Sequence, residues 1–302
     1  MSRPAQSGSP SAGAGKSAGA WPLLVFSLLL LVGLLTACAE ERSVRIRTSF
    51  IELANEELLS SDPNRLDRYN WSIVFEYPDS ILDNKNVCYP TLCDTLKENA
   101  LRVIFGSEAV RRARSGELPP SERLREGDNA FVRDVKVLAD EFNGRFKSHY
   151  PAARDTLRGD LFYEVDVNGY VASTWQDCVS YHLYMHEDEF GQVHEWERGY
   201  NYTLDGRRIY EADLFKAGWE ASLSELLTEE FRKDFTTRDI PLLPSRKQDE
   251  AARSASPVRP NGNFKFAPGG IIWMYDAGEI AEARYGILRI TLPWAELQDL
   301  LR

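Results

Sequence analysis

Large apolar residues recur at every second position in several stretches, which is the spacing of a half-buried β-strand. The first stretch places Trp71, Ile73, Phe75 and Tyr77 on one side and stops at Pro78. Later stretches have Tyr163, Val165 and Val167, then Val179, Tyr181, Leu183 and Met185, then Trp196, Tyr200 and Tyr202 on one side. The dipeptide Asn168-Gly169 between them tolerates positive φ, so it predicts a tight hairpin turn.

Other segments have the spacing of amphipathic helices. The clearest apolar stripe consists of Phe131, Val135, Leu138, Phe142 and Phe146, and Tyr150-Pro151 predicts its end. Residues 211–235 repeat large apolar residues every four positions from Trp219, and Thr91-x-x-Asp94 has the form of a capping box that starts a helix. Residues 107–128 and 240–263 are rich in Pro and charge and predict exposed irregular segments.

Helices that flank a run of hairpins predict an α+β fold with a mainly antiparallel sheet. We divide the chain into four predicted parts. Residues 1–37 form a cleaved signal peptide, and residues 38–68 form a tether with an irregular lead-in. A strand and helical portion follows over 69–158, and 159–302 forms the last domain. The closing elements are the apolar run Ile271–Tyr275, the alternating Leu288, Ile290 and Leu292, and a helical tail from Trp294.

The N-terminal segment has the features of a bacterial lipoprotein signal. Fifteen uncharged, mostly apolar residues run from Trp21 to Leu35 and end in Leu35-Thr36-Ala37-Cys38, which resembles a lipobox. A secretory apolar region needs 7–15 residues, whereas a membrane span needs about 20. We therefore expect cleavage before Cys38 and a lipid on its thiol that binds the protein to the membrane; a signal anchor that happens to end in Cys is the alternative.

The net charge of the chain restricts the classes of partner that it can bind. Loss of residues 1–37 removes Arg3 and Lys16, which leaves 34 basic against 46 acidic side chains and a net charge of −12. Such a balance argues against binding nucleic acid or an anionic lipid surface.

The cysteines that remain after lipidation of Cys38 are Cys88, Cys93 and Cys178, which allow one disulfide. Cys88 with Cys93 closes the shortest loop, but either could pair with Cys178. Unpaired thiols are the other possibility.

Several short motifs in the C-terminal half resemble the domain of unknown function family 3298. They are Gly191-Gln192-Val193-His194, Tyr200-Asn201-Tyr202-Thr203-Leu204-Asp205-Gly206, Glu211-Ala-Asp213-Leu214-Phe215, and a C-terminal signature over Trp273–Leu297. The resemblance covers roughly 160–302. Gln192 and Val193 stand where the family has Gly and Ala, and Glu282 stands where it has Pro. The β-branched Val193 disfavours a close backbone approach to a ligand at the Gly191–His194 loop.

The resemblance implies a place in the cell envelope. Members of the family include the lysozyme-binding extracellular region of an anti-sigma factor and an accessory region beside a peptidoglycan deacetylase domain. It therefore implies a non-enzymatic domain that binds or senses a protein or peptidoglycan ligand near His194.

The remaining candidate chemistry is sparse. His182 and His186 lie four residues apart on one strand, about 13 Å, too far to share a zinc ion with His194. We interpret them as exposed polar residues and expect no metal, no cofactor and no catalytic residue. The aromatic residues Trp196, Tyr200, Tyr202, Trp273 and Tyr275 are candidates for a stacking platform, although filling the core is the more common role of such side chains.

Together these observations favour a lipid-anchored envelope protein with a binding or sensing role. Its candidate ligand-binding residues are Gly191, His194, Trp196, Tyr200, Trp273 and Tyr275. Ala39 and Glu40-Glu41 after the lipidated Cys favour the outer membrane or the cell surface over the inner membrane. An envelope hydrolase with an unrecognised carboxylate site and a structural envelope component are the alternatives.

Overall fold

A computed structural model describes residues 44–243 and 256–302, which belong to one compact unit. The predicted signal peptide, the predicted lipobox with Cys38, and residues 244–255 of the Pro-rich segment lie outside these ranges. The strands are β1 (Arg45–Leu58), β2 (Arg68–Leu82), β3 (Phe162–Trp175), β4 (Cys178–Glu189), β5 (Gln192–Thr203), β6 (Phe264–Ala267), β7 (Gly270–Tyr275) and β8 (Leu288–Pro293). The helices are α1 (Pro90–Phe105), α2 (Ser107–Ser115), α3 (Ala130–Thr156), α4 (Glu211–Leu214), α5 (Trp219–Phe235) and α6 (Trp294–Leu297), with 3₁₀ turns at Thr236–Arg238 and Ala283–Tyr285. Within the described ranges, no helix combines the length and the apolar character needed to span a membrane.

The strands form two sheets, and the predicted α+β class with mainly antiparallel pairing is confirmed. The larger sheet has the order β1-β2-β3-β4-β5 and the smaller has the order β6-β7-β8. Strands β2 and β3 are parallel and are joined by a long connection that contains α1, α2 and α3; every other neighbouring pair is antiparallel. A parallel pair needs such a long crossover connection.

One face of the larger sheet packs against α1 and α3 and forms the first core. Trp71, Ile73 and Phe75 of β2 and Val165 and Val167 of β3 are all buried there. The helices contribute their predicted apolar stripes, which include Leu92, Leu96, Val135, Leu138, Phe142 and Phe146. Each large apolar side chain buried in this way contributes roughly 1.5–3 kcal/mol. The period-two and period-3.6 patterns therefore meet in a single core.

The smaller sheet covers part of the opposite face of the larger sheet. Its strand β6 crosses β3, β4 and β5 so closely that a Cβ on Gly199 would lie 1.9 Å from the carbonyl oxygen of Phe264. Side chains join the two sheets, since Asn201 Nδ2 donates to Phe264 O at 2.8 Å and Phe266 N donates to Ser180 Oγ at 3.1 Å. Helix α5 packs against this sheet and completes a second core with Leu223, Leu227 and Phe231.

Two predictions about strands were wrong. The lead-in predicted as irregular contains the 14-residue strand β1, which pairs with β2 along its whole length. The polar composition of β1 did not predict a strand. An edge strand buries few side chains, and in β1 these are chiefly Ile51 and Leu53. Asn168-Gly169 lies within β3 and forms no turn. A Cβ on Gly169 would come 2.6 Å from Phe75 Cδ1 and 2.9 Å from Leu183 Cδ2, so glycine is needed there for close packing.

The helix boundaries also differ from the predictions. Helix α1 begins at Pro90 with Tyr89 as its N-cap and no capping hydrogen bond from a side chain, so Thr91 lies inside its first turn. Helix α3 continues past Pro151 to Thr156. The segment after Gly106, predicted as irregular, forms the helix α2, whose C-cap is Gly116 at a φ of 76°.

Candidate functional site

The six predicted ligand-binding residues are not gathered in one place. Gly191 and His194 are exposed at the tip of the β4–β5 hairpin, whereas Trp196 and Tyr200 are half-buried against the first core. Trp273 and Tyr275 belong to the second core and are fully buried. Trp273 and Tyr275 therefore do not belong to an exposed aromatic platform, and among the six residues only Gly191 and His194 are exposed.

The hairpin tip has a defined backbone. Phe190 and Gly191 both have positive φ, 55° and 90°, and the Gly191 N–H donates to Asp188 Oδ1 at 2.7 Å. Gly191 suits this left-handed conformation because it has no Cβ. Val193, which follows in β5, is 57% exposed. The Gly191–His194 segment therefore presents a fixed loop with an exposed apolar side chain.

Trp273 has a structural role that involves the predicted Glu-Ala-Asp-Leu-Phe motif. Its indole Nε1 donates to the buried Glu211 Oε1 at 2.8 Å, and its ring stacks on Phe215 with the centroids 6.4 Å apart. Burial raises the pKa of Glu211, although the hydrogen bonds from Trp273 and the Gly262 N–H oppose this effect. The motif therefore attaches the segment before α5 to strand β7.

His182 is buried, which corrects its interpretation as an exposed histidine. Its side chain lies on the face of β4 that the smaller sheet covers, and it is 2% exposed. No local pattern shows this, because the cover comes from strands more than eighty residues later. His186 lies four residues after His182 in β4, and His194 lies near the start of β5 beside the hairpin tip. The three rings therefore do not converge. Within the described ranges, no three His, Cys, Asp or Glu side chains lie close enough to hold a metal ion.

The smaller sheet leaves the rest of this face uncovered, and we call the uncovered part the open sheet face. It consists of the outward residues of β1 from Phe50 to Leu58, of β2 from Arg68 to Glu76, and of β3 from Phe162 to Tyr170, together with Tyr184, His186 and Asp188 of β4 and Val193 and Glu195 of β5. In β3 the burial alternates along the strand, with the Tyr163 side buried and the Phe162 side exposed or half-exposed. The opposite side of the same strands forms the first core.

Exposed apolar side chains are concentrated on the open sheet face. Nine large apolar side chains of the described residues are exposed, and five of them lie here. These five are Phe50, Leu58, Phe162, Tyr170 and Val193. Leu58 and Phe162 stand in the same row on either side of Arg68. Apolar side chains grouped on one surface of a protein mark an interaction site more often than the same number scattered singly.

The open sheet face is also acidic. One row across four strands reads Glu56, Asn70, Glu164 and Asp188, so that Glu164 and Asp188 stand directly opposite each other. The other acidic side chains of this face are Glu52, Glu76, Asp166 and Glu195. Its basic side chains are His186 and Arg68, whose Nη1 lies 3.5 Å from Glu56 Oε1. Like charges that stand opposite each other destabilise a sheet, so this arrangement costs folding energy.

Strand β1, which follows the predicted lipidation site in the sequence, starts at the end of the larger sheet opposite the Gly191–His194 segment. Strand β1 begins seven residues after Cys38 in the sequence, at the end of the sheet where β3 ends and β4 begins. The Gly191–His194 segment lies at the opposite end, beside the end of β1. The open sheet face extends toward this hairpin end, because the smaller sheet covers the other half.

The three cysteines of the described residues are free thiols in this structure. Cys88 is exposed before α1, Cys93 is buried in the first turn of α1, and Cys178 is half-buried at the start of β4. Burial raises the pKa of Cys93, and it raises that of Cys178 to about 11. A disulfide between Cys88 and Cys93 stays a prediction.

The sequence contained a signal for the open sheet face that pattern analysis did not use. The polar positions that alternate with Tyr163, Val165 and Val167 are Glu164, Asp166 and Asn168. Acidic residues at alternate positions indicate a solvated strand face, but they do not show that neighbouring strands place more acids beside them.

These observations define an α+β protein with two packed sheets, one of which has a largely uncovered face. Comparison with known proteins relates part of the chain to a family. Residues 212–295 match the family described as protein of unknown function (DUF3298), so the chain contains a region of this family and the predicted resemblance to it is confirmed over these residues. No curated protein matches the chain.

Solved structures of DUF3298 family proteins are similar to this chain over most of its length. The crystal structure of a DUF3298 family member from Bacteroides fragilis is 18% identical, with a TM-score of 0.60, and the match covers 87% of this chain and 96% of that chain. A DUF3298 family protein from Pseudomonas aeruginosa is 13% identical with a TM-score of 0.46, and the match covers 85% of this chain and 95% of that one. The likeness to the Bacteroides protein shows a shared fold.

Proposed function

We propose that this protein is a non-enzymatic binding module of the bacterial cell envelope, anchored by a lipid on Cys38, whose open sheet face binds a basic protein. The observation that carries the proposal is the concentration of exposed apolar side chains, among them Phe50, Leu58 and Phe162, on an acidic sheet face that no described element covers. Lysozyme is the ligand that the family resemblance suggests, and peptidoglycan is the alternative.

The acidic side chains of the open sheet face favour a positively charged protein as the partner. The row with Glu56, Glu164 and Asp188 repels anions and attracts Lys and Arg side chains of a protein surface. A cationic partner would relieve the repulsion between Glu164 and Asp188, so the energy lost in folding is recovered in binding. Complementary charge also accelerates association at low salt.

The apolar side chains supply the part of the affinity that does not depend on salt. Stable interfaces combine apolar anchors with a polar surround. Phe162 and Val193 stand at the hairpin end of the face, close to the Gly191–His194 segment. A partner that covers this end would contact the predicted loop and the face together.

The proposed anchor is compatible with access to the face. In the sequence β1 begins seven residues after Cys38, and this strand starts at the end of the sheet opposite the hairpin. Ala39 and Glu40-Glu41 support the outer membrane or the cell surface. Replacement of Cys38 by Ala should leave the protein unprocessed or released from the membrane, and normal membrane-bound protein would contradict the anchor.

The buried acids give less support to a hydrolase. Asp67, Glu197 and Glu211 are the buried carboxylates of the described residues. They bind different partners, which are Arg154, Arg289 and Trp273 respectively. A pair of carboxylates that flanks a substrate must face one cleft, and these three are held apart in three different contacts.

The test is a binding titration with lysozyme by biolayer interferometry at 50 and 200 mM salt, with the mature chain in which Cys38 is replaced by Ser. The variant Glu56→Gln, Glu164→Gln and Asp188→Asn removes the acidic row. The matched control Glu220→Gln, Glu225→Gln and Asp234→Asn removes the same charge from exposed positions of α5. We expect at least tenfold weaker binding for the first variant and less than twofold change for the control.

Equal loss in both variants would show only a net-charge effect and would overturn the site. Binding of purified peptidoglycan with no binding of lysozyme would transfer the proposal to the alternative ligand. A His194→Ala variant reports separately whether the hairpin tip takes part.

A further inference from the structure

Strand β1 forms an unpaired edge of the larger sheet. Among the described residues, its backbone exchanges hydrogen bonds with β2 alone. Part of the opposite edge, at β5, is occupied, because Asn263 Oδ1 accepts from the Gly199 N–H at 3.0 Å and Asn263 Nδ2 donates to Glu197 O at 2.8 Å. The outer backbone N–H and C=O groups of β1 can therefore pair with another strand.

This edge lacks several features that prevent edge strands from pairing, which are shortness, Pro or Lys in the strand, and a bulge that twists it away. Strand β1 has 14 residues and contains neither Pro nor Lys. The register shift between β1 and β2 leaves its extra residue, Asp79, in β2. The two most exposed large apolar side chains of the described residues, Phe50 at 69% and Leu58 at 68%, both lie on β1. A second strand beside β1 would cover part of this apolar surface.

The charges of β1 are separated along the strand. Its basic side chains, Arg45 and Arg47, stand in the first three positions, and its acidic side chains, Glu52, Glu56 and Glu57, stand in the last seven. A parallel copy of the strand in the same register would place like charges opposite each other, which destabilises a sheet. An antiparallel copy places the basic end of each strand beside the acidic end of the other. The charge pattern therefore favours a second copy of this chain, in antiparallel orientation.

We infer that two copies of this protein associate through antiparallel pairing of their β1 strands, which joins their five-stranded sheets into one sheet of ten strands. The two copies are related by a two-fold axis, so residues that stand opposite each other must lie on the same side of the strand. One register that meets this condition places Ile51 opposite its own copy and Arg45 of each copy opposite Glu57 of the other. Phe50 then lies diagonal to its own copy, within reach of an aromatic side chain.

The neighbouring registers fit the charges less well. A shift that places Glu52 opposite its own copy brings two carboxylates together, and a shift that places Phe50 there removes the pairs between Arg45 and Glu57. Both members of these pairs are accessible in the single chain. Arg45 is exposed and donates to Asn86 Oδ1, and the Glu57 side chain, which pairs with Lys147 of α3, is 32% exposed. The register with Ile51 at the axis is therefore the one that the charges of β1 support.

The experiment is sedimentation-velocity ultracentrifugation of the mature chain with Cys38 replaced by Ser, between 1 and 200 μM and without any ligand. A reductant prevents cross-linking through the exposed Cys88. We expect a dimer whose fraction rises with concentration. Amide hydrogen exchange should slow in residues 45–58 as the dimer forms and stay unchanged in residues 163–169, which already pair with strands on both sides. A chain that stays monomeric, or a dimer with unchanged exchange in residues 45–58, overturns the proposal.

Charge-swap variants test the antiparallel register. Arg45→Glu places two carboxylates opposite each other in each pair, and Glu57→Arg places two guanidinium groups there, so each variant alone should dimerise at least tenfold more weakly. An equimolar mixture of the two variants should regain the dimer, because every such pair in the mixed dimer has opposite charges. Unchanged dimerisation of the single variants, or a mixture that dimerises no better than they do, overturns the register and with it the proposal.

A matched pair of variants separates the edge of the sheet from its open face. Phe50→Lys introduces a charge at the edge and should weaken the dimer at least tenfold. Phe162→Lys changes another exposed phenylalanine of the open sheet face, on β3 and away from the edge, and should dimerise as the wild type does. Equal loss in both variants would assign the association to the open sheet face and overturn pairing through β1. Because no ligand is added, the result does not depend on the binding of a basic protein.

Discussion

Arg154 Nη1 lies 3.1 Å from Oδ2 of Asp67, a carboxylate that is fully buried and 87 positions earlier in the chain. The same carboxylate accepts from the Tyr150 hydroxyl at 2.7 Å and from the Leu161 N–H at 2.8 Å. These bonds hold the end of α3 against the start of β2 and β3. They offset the hydrogen bond that Pro151 cannot donate, which is why α3 continues for five residues after the proline.

Asp67→Asn should lower the free energy of unfolding by about 3 kcal/mol, because it leaves the partly buried Arg154 without its counter-ion and removes an acceptor from a fully buried position. Chemical denaturation measures this loss. Asp62→Asn is the matched control, since Asp62 forms an exposed pair with Arg65, and it should change stability by less than about 0.5 kcal/mol. Equal losses of stability in the two variants would show that the Asp67 contacts contribute no more than an exposed ion pair.

The contribution of Asp67 depends on pH. Burial raises the pKa of Asp67, but the hydrogen bonds from Tyr150, Leu161 and Arg154 together lower it below its usual value of 3.8. A lowered carboxyl pKa contributes stability above pH 3.8, and this contribution is lost as the pH falls through the folded-state pKa. Between pH 6 and pH 3 the wild type should therefore lose more stability than Asp67→Asn, as measured by denaturation at each pH.

Gly169→Ala tests the close packing in the middle of β3. An added Cβ would lie 2.6 Å from Phe75 and 2.9 Å from Leu183, so we expect a loss of about 1–3 kcal/mol of stability. Gly144→Ala in α3 is the control, because a Cβ there meets nothing within 4 Å. It should gain about 0.5–1 kcal/mol from helix propensity. Thermal unfolding distinguishes the two, and a stable Gly169→Ala would contradict the packing.

Gly199→Ala tests the contact between the two sheets. Its Cβ would lie 1.9 Å from the backbone oxygen of Phe264, which a rotamer change cannot relieve, so we expect a loss of more than about 3 kcal/mol or failure to fold. Gly269→Ala places a Cβ in open space at an ordinary φ and should be tolerated. If both variants unfold at the same temperature, the smaller sheet does not pack on β5 as described.

His182 should make the protein less stable in mild acid. Burial lowers the pKa of His182 below 6.5; the contact with Glu197 opposes this, and the charges of Lys265 and Arg289 support it. The unfolded chain therefore takes up a proton before the folded one, and stability falls as the pH drops below 6.5, by at most about 1.4 kcal/mol per pH unit.

The measurement is urea denaturation at pH 7.5 and 5.5 in buffers without carboxylates. His182→Gln should reduce the difference in stability between the two values, whereas the exposed His194→Gln should leave it as in the wild type. A pH dependence that survives His182→Gln would assign it to other groups.

The thiols should react in a defined order. At pH 8, iodoacetamide should label the exposed Cys88 first and Cys178 slowly, because burial raises the pKa of Cys178 to about 11. Mass spectrometry of the modified chain reads the order. Protection of Cys88 and Cys93 together, removed by a reductant, would instead establish the predicted disulfide.

Strong local patterns predicted much of the fold. The alternation in β2 and β4 and the apolar stripes of α3 and α5 were visible in the sequence because each element buries one side of itself. The polar strand β1 and the glycine within β3 were not, since both depend on strands that are distant in the chain. The same limit applied to the candidate site, where Gly191 and His194 were found from short motifs and the acidic row was missed.

The order of residues alone determined the periodicity of each element, the lipobox-like tetrapeptide that ends at Cys38 and the family motifs, because each lies within a few neighbouring positions. Only the tertiary structure decided which side of each strand is covered. His182 and Tyr184 have the same orientation on β4, yet the smaller sheet buries the first and leaves the second half-exposed. That difference arises from residues 264–292 folding back onto β4, and a local pattern carries no record of such a contact.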